Sequence, residues 1–247
     1  MTTVSIVEPG TGPELSVVLP VYQEGEAVAP VLRALAAAIH TSFELLVVYD
    51  FDDDPTVPVL RSLQAEIAQL RPLRNDLGPG VLNAMKAGIA EARGDYVLIS
   101  MADGSDEPEV VDRMVALARG GADVVAASRY MHGGHQVGGP AFKRLLSRTA
   151  GLTLHWFGGV PIHDSTSNFK LYSHPFLDSV TIESTAGFEL ALELSVKATL
   201  AGRRLAEVPT VWRDRMTGTS NFKLRKWLPH YLRWYLLALR RPRNARS

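Results

Sequence analysis

The chain has 247 residues, with 26 basic and 26 acidic side chains, so its bulk charge offers nothing that would draw it to nucleic acid. It has no cysteine, which excludes disulfides, thiolate chemistry and cysteine-based zinc sites. Hydrophobic residues make up 46%, enough for the core of one large domain.

Residues 1–14 are polar, carry Gly and Pro, and read as a loose tail. They lack the basic start and apolar centre of a signal peptide. No apolar run reaches the roughly 18 residues that span a bilayer, so a cytoplasmic protein is expected. Leu15 to Val21 reads as a strand feeding the polar loop Tyr22 to Glu26. Val28 to Ile39 has a helical period, with Val28, Val31, Leu32, Leu35 and Ile39 on one face. Phe43 to Tyr49 is a second buried strand, ending in the carboxylate-rich turn Asp50 to Pro55. Thr56 to Leu70 is expected to be helical. Val81 to Arg93 is an Ala-rich helix stopped by Gly94.

Tyr96 to Ser100 is the next strand. It runs into a turn bearing Asp103, Asp106, Glu107 and Glu109, with Gly104 to reverse the backbone and Pro108 to open a helix. Another strand is expected at Asp123 to Ala127. Strands alternating with helices of ten to fifteen residues imply βαβ units and a mostly parallel sheet with helices on both faces. In such sheets ligands bind beyond the carboxyl ends of the strands. Acids gathered there suit a divalent cation that grips a diphosphate.

Beyond Ser128 the chain changes character. Arg129 sits at a strand exit, and Phe142 to Phe157 reads as a helix with Arg and Lys on one face. Asn168 to Tyr172 alternates like a strand, Gly187 to Ala201 like a helix, and Leu205 to Trp212 like an edge strand because it holds Pro209. His132, His135, His155 and His163 lack the spacing of a zinc site. From Lys223 onward there are Lys and Arg but no Asp or Glu. Leu224, Trp227, Leu228, Tyr231, Leu232, Tyr235, Leu236 and Leu239 follow a helical period, opposite Arg225, Lys226, His230 and Arg233. That make-up suits a helix lying in a membrane interface; the competing reading is a terminal helix packed on the core. Pro229 would kink or start this helix.

The segments LSVVLPVYQEGE, ELLVVYDFDDDPT, LGPGVLNAMKAGIAEARGDYVLISMADGSDEPE, ASRY, DSTSNFKLY, GFELALEL and EVPTVWRDRMTGTSNFKL, taken in order, resemble family 2 glycosyltransferases. Within that family the chain looks like the polyprenyl-phosphate (dolichol-phosphate) sugar synthases, over about Leu15 to Leu236. The resemblance implies an α/β GT-A (Rossmann-like) fold plus a C-terminal amphipathic helix. It implies a tail at 1–14, a transferase domain at 15–222 and a basic segment at 223–247. The donor half would be 15–130 and the acceptor half 131–222.

The implied reaction is inverting transfer of a sugar from a UDP- or GDP-linked donor to a polyprenyl phosphate. It would need Mg²⁺ or Mn²⁺ and take place at the inner face of a membrane. Pro20, Tyr22, Glu24 and Asp50 would lie along the base and ribose, and Lys86 and Ala102 would also meet substrate. Asp103 matches the last Asp of the family's Asp-X-Asp metal motif, but Met101 stands where the first Asp belongs and Ser105 where a Gln often follows. A thioether is a poor ligand for these cations, so Asp103, aided by Asp106, is the expected metal side chain. Arg129, Lys170, Arg215 and Lys223 would hold the acceptor, with Glu189 beside it. A hydroxyl acceptor would instead need a base, for which Asp164 and Glu189 are the candidates. Two other readings stay open: a catalytically inactive membrane-docking homologue, motivated by Met101, and a sugar-phosphate nucleotidyltransferase. The latter is disfavoured because Tyr22 to Glu26 is acidic where a basic, Gly-rich phosphate loop belongs.

Overall fold

The computed structural model describes residues 12–214 and 224–240. Strands β1 (Leu15–Pro20), β2 (Phe43–Tyr49), β4 (Tyr96–Ile99) and β5 (Val124–Ser128) are nearly continuous apolar runs, the pattern of strands buried on both faces. With β3 (Leu70–Arg74), β7 (Lys170–Ser173) and β8 (Leu205–Pro209) they form one seven-stranded sheet in the order β3-β2-β1-β4-β7-β5-β8. All neighbours pair in parallel except β7, which runs antiparallel between β4 and β5. The inserted β7 places a strand of the expected acceptor half in the middle of the sheet, so the two halves share one core.

Side-chain alternation sends the strands into two apolar layers. Leu15, Val17, Leu19, Leu45 and Val47 join α1 (Val28–Ala38), α2 (Thr56–Leu63) and α4 (Val111–Arg119) on one face. Val18, Leu46, Val48, Val97 and Ile99 join α3 (Val81–Glu91), α7 (Leu190–Leu200) and α8 (Leu224–Leu239) on the other. Gly88 lets α3 lie against β1: a Cβ there would come within 2.3 Å of Val18. A small second sheet pairs β6 (His135–Val137) with β9 (Val211–Arg213). Helices α5 (Ala141–Trp156) and α6 (His174–Ser179) complete the order.

Three boundaries differ from expectation. The helix from Thr56 stops at Leu63, and Leu70–Arg74 is an edge strand paired with β2. Its Pro72 is tolerated because β3 has a partner on one side only. The segment from Leu205 splits at Thr210, so β8 ends the main sheet and β9 belongs to the small one. Glu14 is part of the fold rather than of a tail: Arg119 grips its carboxylate with two hydrogen bonds of 2.6 Å, and its carbonyl accepts the Tyr96 N–H.

The apolar face expected for α8 is divided. Trp234 and Ala238 are buried and Tyr231 and Tyr235 pack beside them, while Leu228, Leu232, Leu236 and Leu239 stay exposed. The inward face is held by cation–π contacts: the Trp234 ring lies 5.0 Å from the Lys197 ammonium and 4.6 Å from the Arg233 guanidinium. The Tyr231 hydroxyl donates to the Phe188 carbonyl at 2.6 Å. Leu224 to Trp227 lie outside the described side chains. Among the described residues no helix is long and apolar enough to cross a membrane.

Candidate active site

The parallel strands bring the exits of β2, β1, β4 and β5 to one edge of the sheet, as sheet topology requires. At the β1 exit Tyr22 is exposed, and its ring meets Phe51 of the β2 exit edge-on, with centroids 5.9 Å apart. Buried Asp54 fixes the loop between them by accepting from the Gln23 N–H at 2.8 Å and the Thr56 N–H at 2.8 Å. Thr56 in turn accepts from the Glu24 and Gly25 N–H groups. Pro20 ends β1 beneath this loop. Asp50 sits at the β2 exit with both carboxylate oxygens bonded, to the Asn75 amide and to the Gly80 N–H, each at 2.8 Å. It braces the loop 75–80. Lys86 is half-buried on α3.

At the β4 exit Ala102 is buried and Asp103 half-buried, accepting from the Ser105 N–H at 3.1 Å. Asp106 does not present its carboxylate alongside. One of its oxygens accepts from the Ser100 hydroxyl and the Met101 N–H. Loss of hydration, then the charge of Asp103, pushes its pKa up to about 7. Among the described residues no group of three or more His, Cys, Asp or Glu could hold a metal by itself. A single carboxylate such as Asp103 would hold a cation of the Mg²⁺ type only with substrate phosphates and water completing its shell. Glu107 turns away and accepts from the Val211 N–H at 2.7 Å, tying this turn to β9.

At the β5 exit the charge reverses. Arg129 forks onto Asp164, Nε to Oδ2 at 2.6 Å and Nη2 to Oδ1 at 3.0 Å, and also donates to the Thr166 hydroxyl. Its guanidinium lies 4.8 Å from the Tyr130 ring centre. Arg129, Tyr130, His132, His135, Arg144 and Arg148 line a cavity of about 560 Å³ that contains no carboxylate. Arg144 and Arg148 are one helical turn apart on α5, and sequence reading missed them as individual site residues. Their signal was arginines at i and i+4 on a helix with no acid beside them. Gly151 allows α5 to close on this wall, since a Cβ there would come within 2.3 Å of the His163 carbonyl.

Three expected site residues lie beneath the surface instead. Asp164 is fully buried; burial works to raise its pKa, but the Arg129 guanidinium prevails and holds it at about 2. A carboxylate so placed is a weak and inaccessible base, and its role is to orient Arg129. Lys170 is fully buried, with Nζ bonded to the Ser167 carbonyl, so it cannot meet an acceptor. Desolvation pulls its pKa down to about 7 despite the pull of Asp164. Glu189 is buried and accepts from the N–H groups of Thr185, Ala186 and Gly187 at 2.7–3.1 Å, which makes it the brace of the loop opening α7. Arg215 and Lys223 lie outside the described residues.

The model of glycosyl transferase family 2 matches residues 16–180. The polyprenol monophosphomannose synthase of Mycolicibacterium smegmatis is 29% identical over 237 residues, covering 85% of each chain. The undecaprenyl-phosphate mannosyltransferase of Micrococcus luteus is 28% identical, covering 82% of this chain and 85% of its own. The dolichol-phosphate mannosyltransferase of Pyrococcus furiosus is 26% identical over 89% of this chain, which spans 62% of that protein's length. Glucosyl-3-phosphoglycerate synthase from Mycobacterium tuberculosis, solved with Mn²⁺ and UDP, superposes with a TM-score of 0.66 at 17% identity, covering 94% of this chain and 82% of its own. The family match covers more than half of the sequence, and the sheet is mostly parallel with acids and arginines at its strand exits: the chain belongs to glycosyl transferase family 2 and is a glycosyltransferase of GT-A fold.

Proposed function

We propose that the protein moves a sugar from a nucleotide-diphosphate donor to the phosphate of a polyprenyl phosphate at a membrane surface, with inversion at the anomeric carbon. The observation that carries this reading is the acid-free cavity of Arg129, Arg144 and Arg148. It faces the same sheet edge as Asp103, and arginine forks suit phosphate oxygens. The names of the Mycolicibacterium, Micrococcus and Pyrococcus relatives support the same acceptor class.

The acceptor phosphate is already anionic and needs no base. Its oxygen attacks C1 from the side opposite the diphosphate. The C1–O bond breaks, and the nucleoside diphosphate leaves with the electron pair. Arg144 and Arg148 would bind the phosphate, while Arg129, locked by Asp164, would set its angle of approach. Asp103 would hold a divalent cation, Mg²⁺ or Mn²⁺, which when bound neutralises the departing diphosphate; the Mn²⁺ complex of the Mycobacterium tuberculosis synthase supports this choice. Burial and pairing of Asp164 and Glu189 leave neither as a base for a hydroxyl acceptor, which favours the phosphate.

The membrane reading shifts from one helix to two. On α5, Phe142, Leu145 and Trp156 are 60–65% exposed, and Phe157 follows at 59%. The Thr153 and Tyr235 hydroxyls, 2.9 Å apart, set α5 against α8, on which Leu228, Leu232, Leu236, Leu237 and Leu239 are exposed. A polyprenyl tail leaving the arginine cavity along α5 would meet this apolar surface.

The test supplies UDP- and GDP-sugars with Mn²⁺ and a polyprenyl phosphate, and follows nucleotide release and glycolipid. Release that requires the lipid phosphate, with one glycolipid per nucleotide, is expected. Release with a hydroxyl acceptor and not with the lipid phosphate would overturn the proposal.

A further inference from the structure

Helix α8 turns its exposed leucines outward and packs Tyr231 and Trp234 inward. The inward face grips the loop that opens α7. That loop is first fixed by α7 itself and by Glu189 just before it. The N–H groups of Glu183 and Ser184 donate to the fully buried Glu193 carboxylate, and those of Thr185, Ala186 and Gly187 to Glu189, at 2.6–3.1 Å. The next carbonyl, of Phe188, accepts from the Tyr231 hydroxyl at 2.6 Å. At the loop's other end the Glu183 carboxylate pairs with Arg233 of α8 and with Lys197 at 2.8 Å. Loss of hydration, then the charge of Glu189, pushes the Tyr231 pKa up against the opposing Arg129 guanidinium, so the hydroxyl keeps the proton it donates.

The same loop is seated on the donor half. Gly187 has a φ of 127°, and a Cβ there would come within 2.6 Å of the Val81 side chain and 3.3 Å of the Leu82 nitrogen. Val81 opens α3, and Gly80 before it donates its N–H to Asp50 at the β2 exit at 2.8 Å. Contacts therefore run unbroken from α8, through the Phe188 carbonyl and Gly187, to the first turn of α3 and the wall at Asp50. Close-packed links of this kind transmit a shift.

We propose that Tyr231 is a positioning residue for the nucleotide donor: its bond to Phe188 holds loop 183–188 against α3 and so keeps the donor side in shape. This inference rests on the nucleotide-sugar reading and adds a link between that donor and the helix of the membrane reading. Linkage is reciprocal, so the factor by which seated α8 strengthens nucleotide binding is the factor by which bound nucleotide strengthens the seating of α8.

The test uses the full chain and Tyr231→Phe, which removes only the hydroxyl. Calorimetric titration of UDP, GDP and inorganic pyrophosphate, each with Mn²⁺, is paired with hydrogen exchange at the amides of residues 230–239. In wild type, bound nucleotide should slow exchange in α8 about fivefold, and pyrophosphate, which lacks a nucleoside, should not. Tyr231→Phe should bind nucleotide about fivefold more weakly and pyrophosphate as wild type does. Its α8 exchange should be faster and no longer respond to nucleotide, whereas a merely structural tyrosine would change the speed and not the response. Wild-type α8 exchange that ignores bound nucleotide would overturn the inference and leave the donor reading standing. Equal weakening of nucleotide and pyrophosphate in Tyr231→Phe would do the same. A wild-type chain that binds pyrophosphate but neither nucleotide would sink the donor reading itself, and this inference with it.

Discussion

The exits of β4 and β5 are separated only by β7, yet they solve opposite electrostatic problems. At β4 Asp103 is half-buried and Glu109 exposed, while Asp106 and Glu107 bond the scaffold through Ser100, Met101 and Val211. At β5 Arg129, Arg144 and Arg148 line an open cavity, and Asp164, the acid paired with Arg129, is buried. At β5 the buried acid fixes Arg129, whereas at β4 Asp106 holds the backbone of the turn through Ser100 and Met101. An anionic leaving group needs a site that admits a cation; an anionic nucleophile needs cations that do not move.

The sharpest way to break this contrast is to remove the β4 charge. Asp103→Ala should lower turnover by about 10³-fold, the scale of losing one preorganised electrostatic partner of a transition state. Acceptor binding should persist, as steady-state kinetics with the two substrates varied separately would reveal. Unchanged turnover would show that Asp103 holds no catalytic cation, with Met101 marking a lost metal site.

Loosening the β5 charge comes next. Asp164→Asn leaves Arg129 present but no longer clamped, so the acceptor KM should rise while the donor KM holds. The expected loss in kcat/KM is about 10²-fold, since truncating one partner of a buried ion pair costs several kcal/mol. The same variant carries a stability signature. Asp164 has a folded pKa of about 2, below its unfolded value near 4, so it stabilises the fold above that unfolded value. That contribution, about 2 kcal/mol, fades as pH falls from about 4 through 2. Chemical denaturation across that range should show wild type losing its advantage over Asp164→Asn towards low pH. A constant gap would mean that the pair does not hold Asp164 ionised.

The smallest effect concerns the lipid side. Replacing Leu232 and Leu236 with Ser should reduce flotation with anionic liposomes severalfold and leave transfer to a short, water-soluble prenyl phosphate intact. These leucines are exposed, so the fold should not suffer. Equal flotation of variant and wild type would remove α8 from the membrane argument.

Much of this contrast was legible in the sequence. The donor strands announced themselves because a strand buried on both faces has to be an apolar run, and Asp103 and Arg129 followed as the polar residues at their exits. Strand β3 did not, because an edge strand can carry Arg71, Pro72 and Arg74 and so loses its apolar signature. The central position of β7 was hidden for a different reason: strand order is settled by tertiary packing, not by local pattern. Asp164, Lys170 and Glu189 were singled out by motif, yet their work depends on burial, which a short motif does not encode. On α8 the helical period was right, but it could not tell which apolar stripe the core would claim. Trp234 settled that through Lys197 and Arg233.

The most direct test is a crossed binding experiment. UDP or GDP with Mn²⁺, and separately a short prenyl phosphate, would be titrated into wild type, Asp103→Ala and the Arg144→Ala/Arg148→Ala double variant. The account predicts that Asp103→Ala loses the nucleotide and keeps the prenyl phosphate. The double variant should keep the nucleotide and bind the prenyl phosphate at least about tenfold more weakly. Nucleotide binding that survives in Asp103→Ala, or prenyl phosphate binding untouched by loss of both arginines, would contradict it.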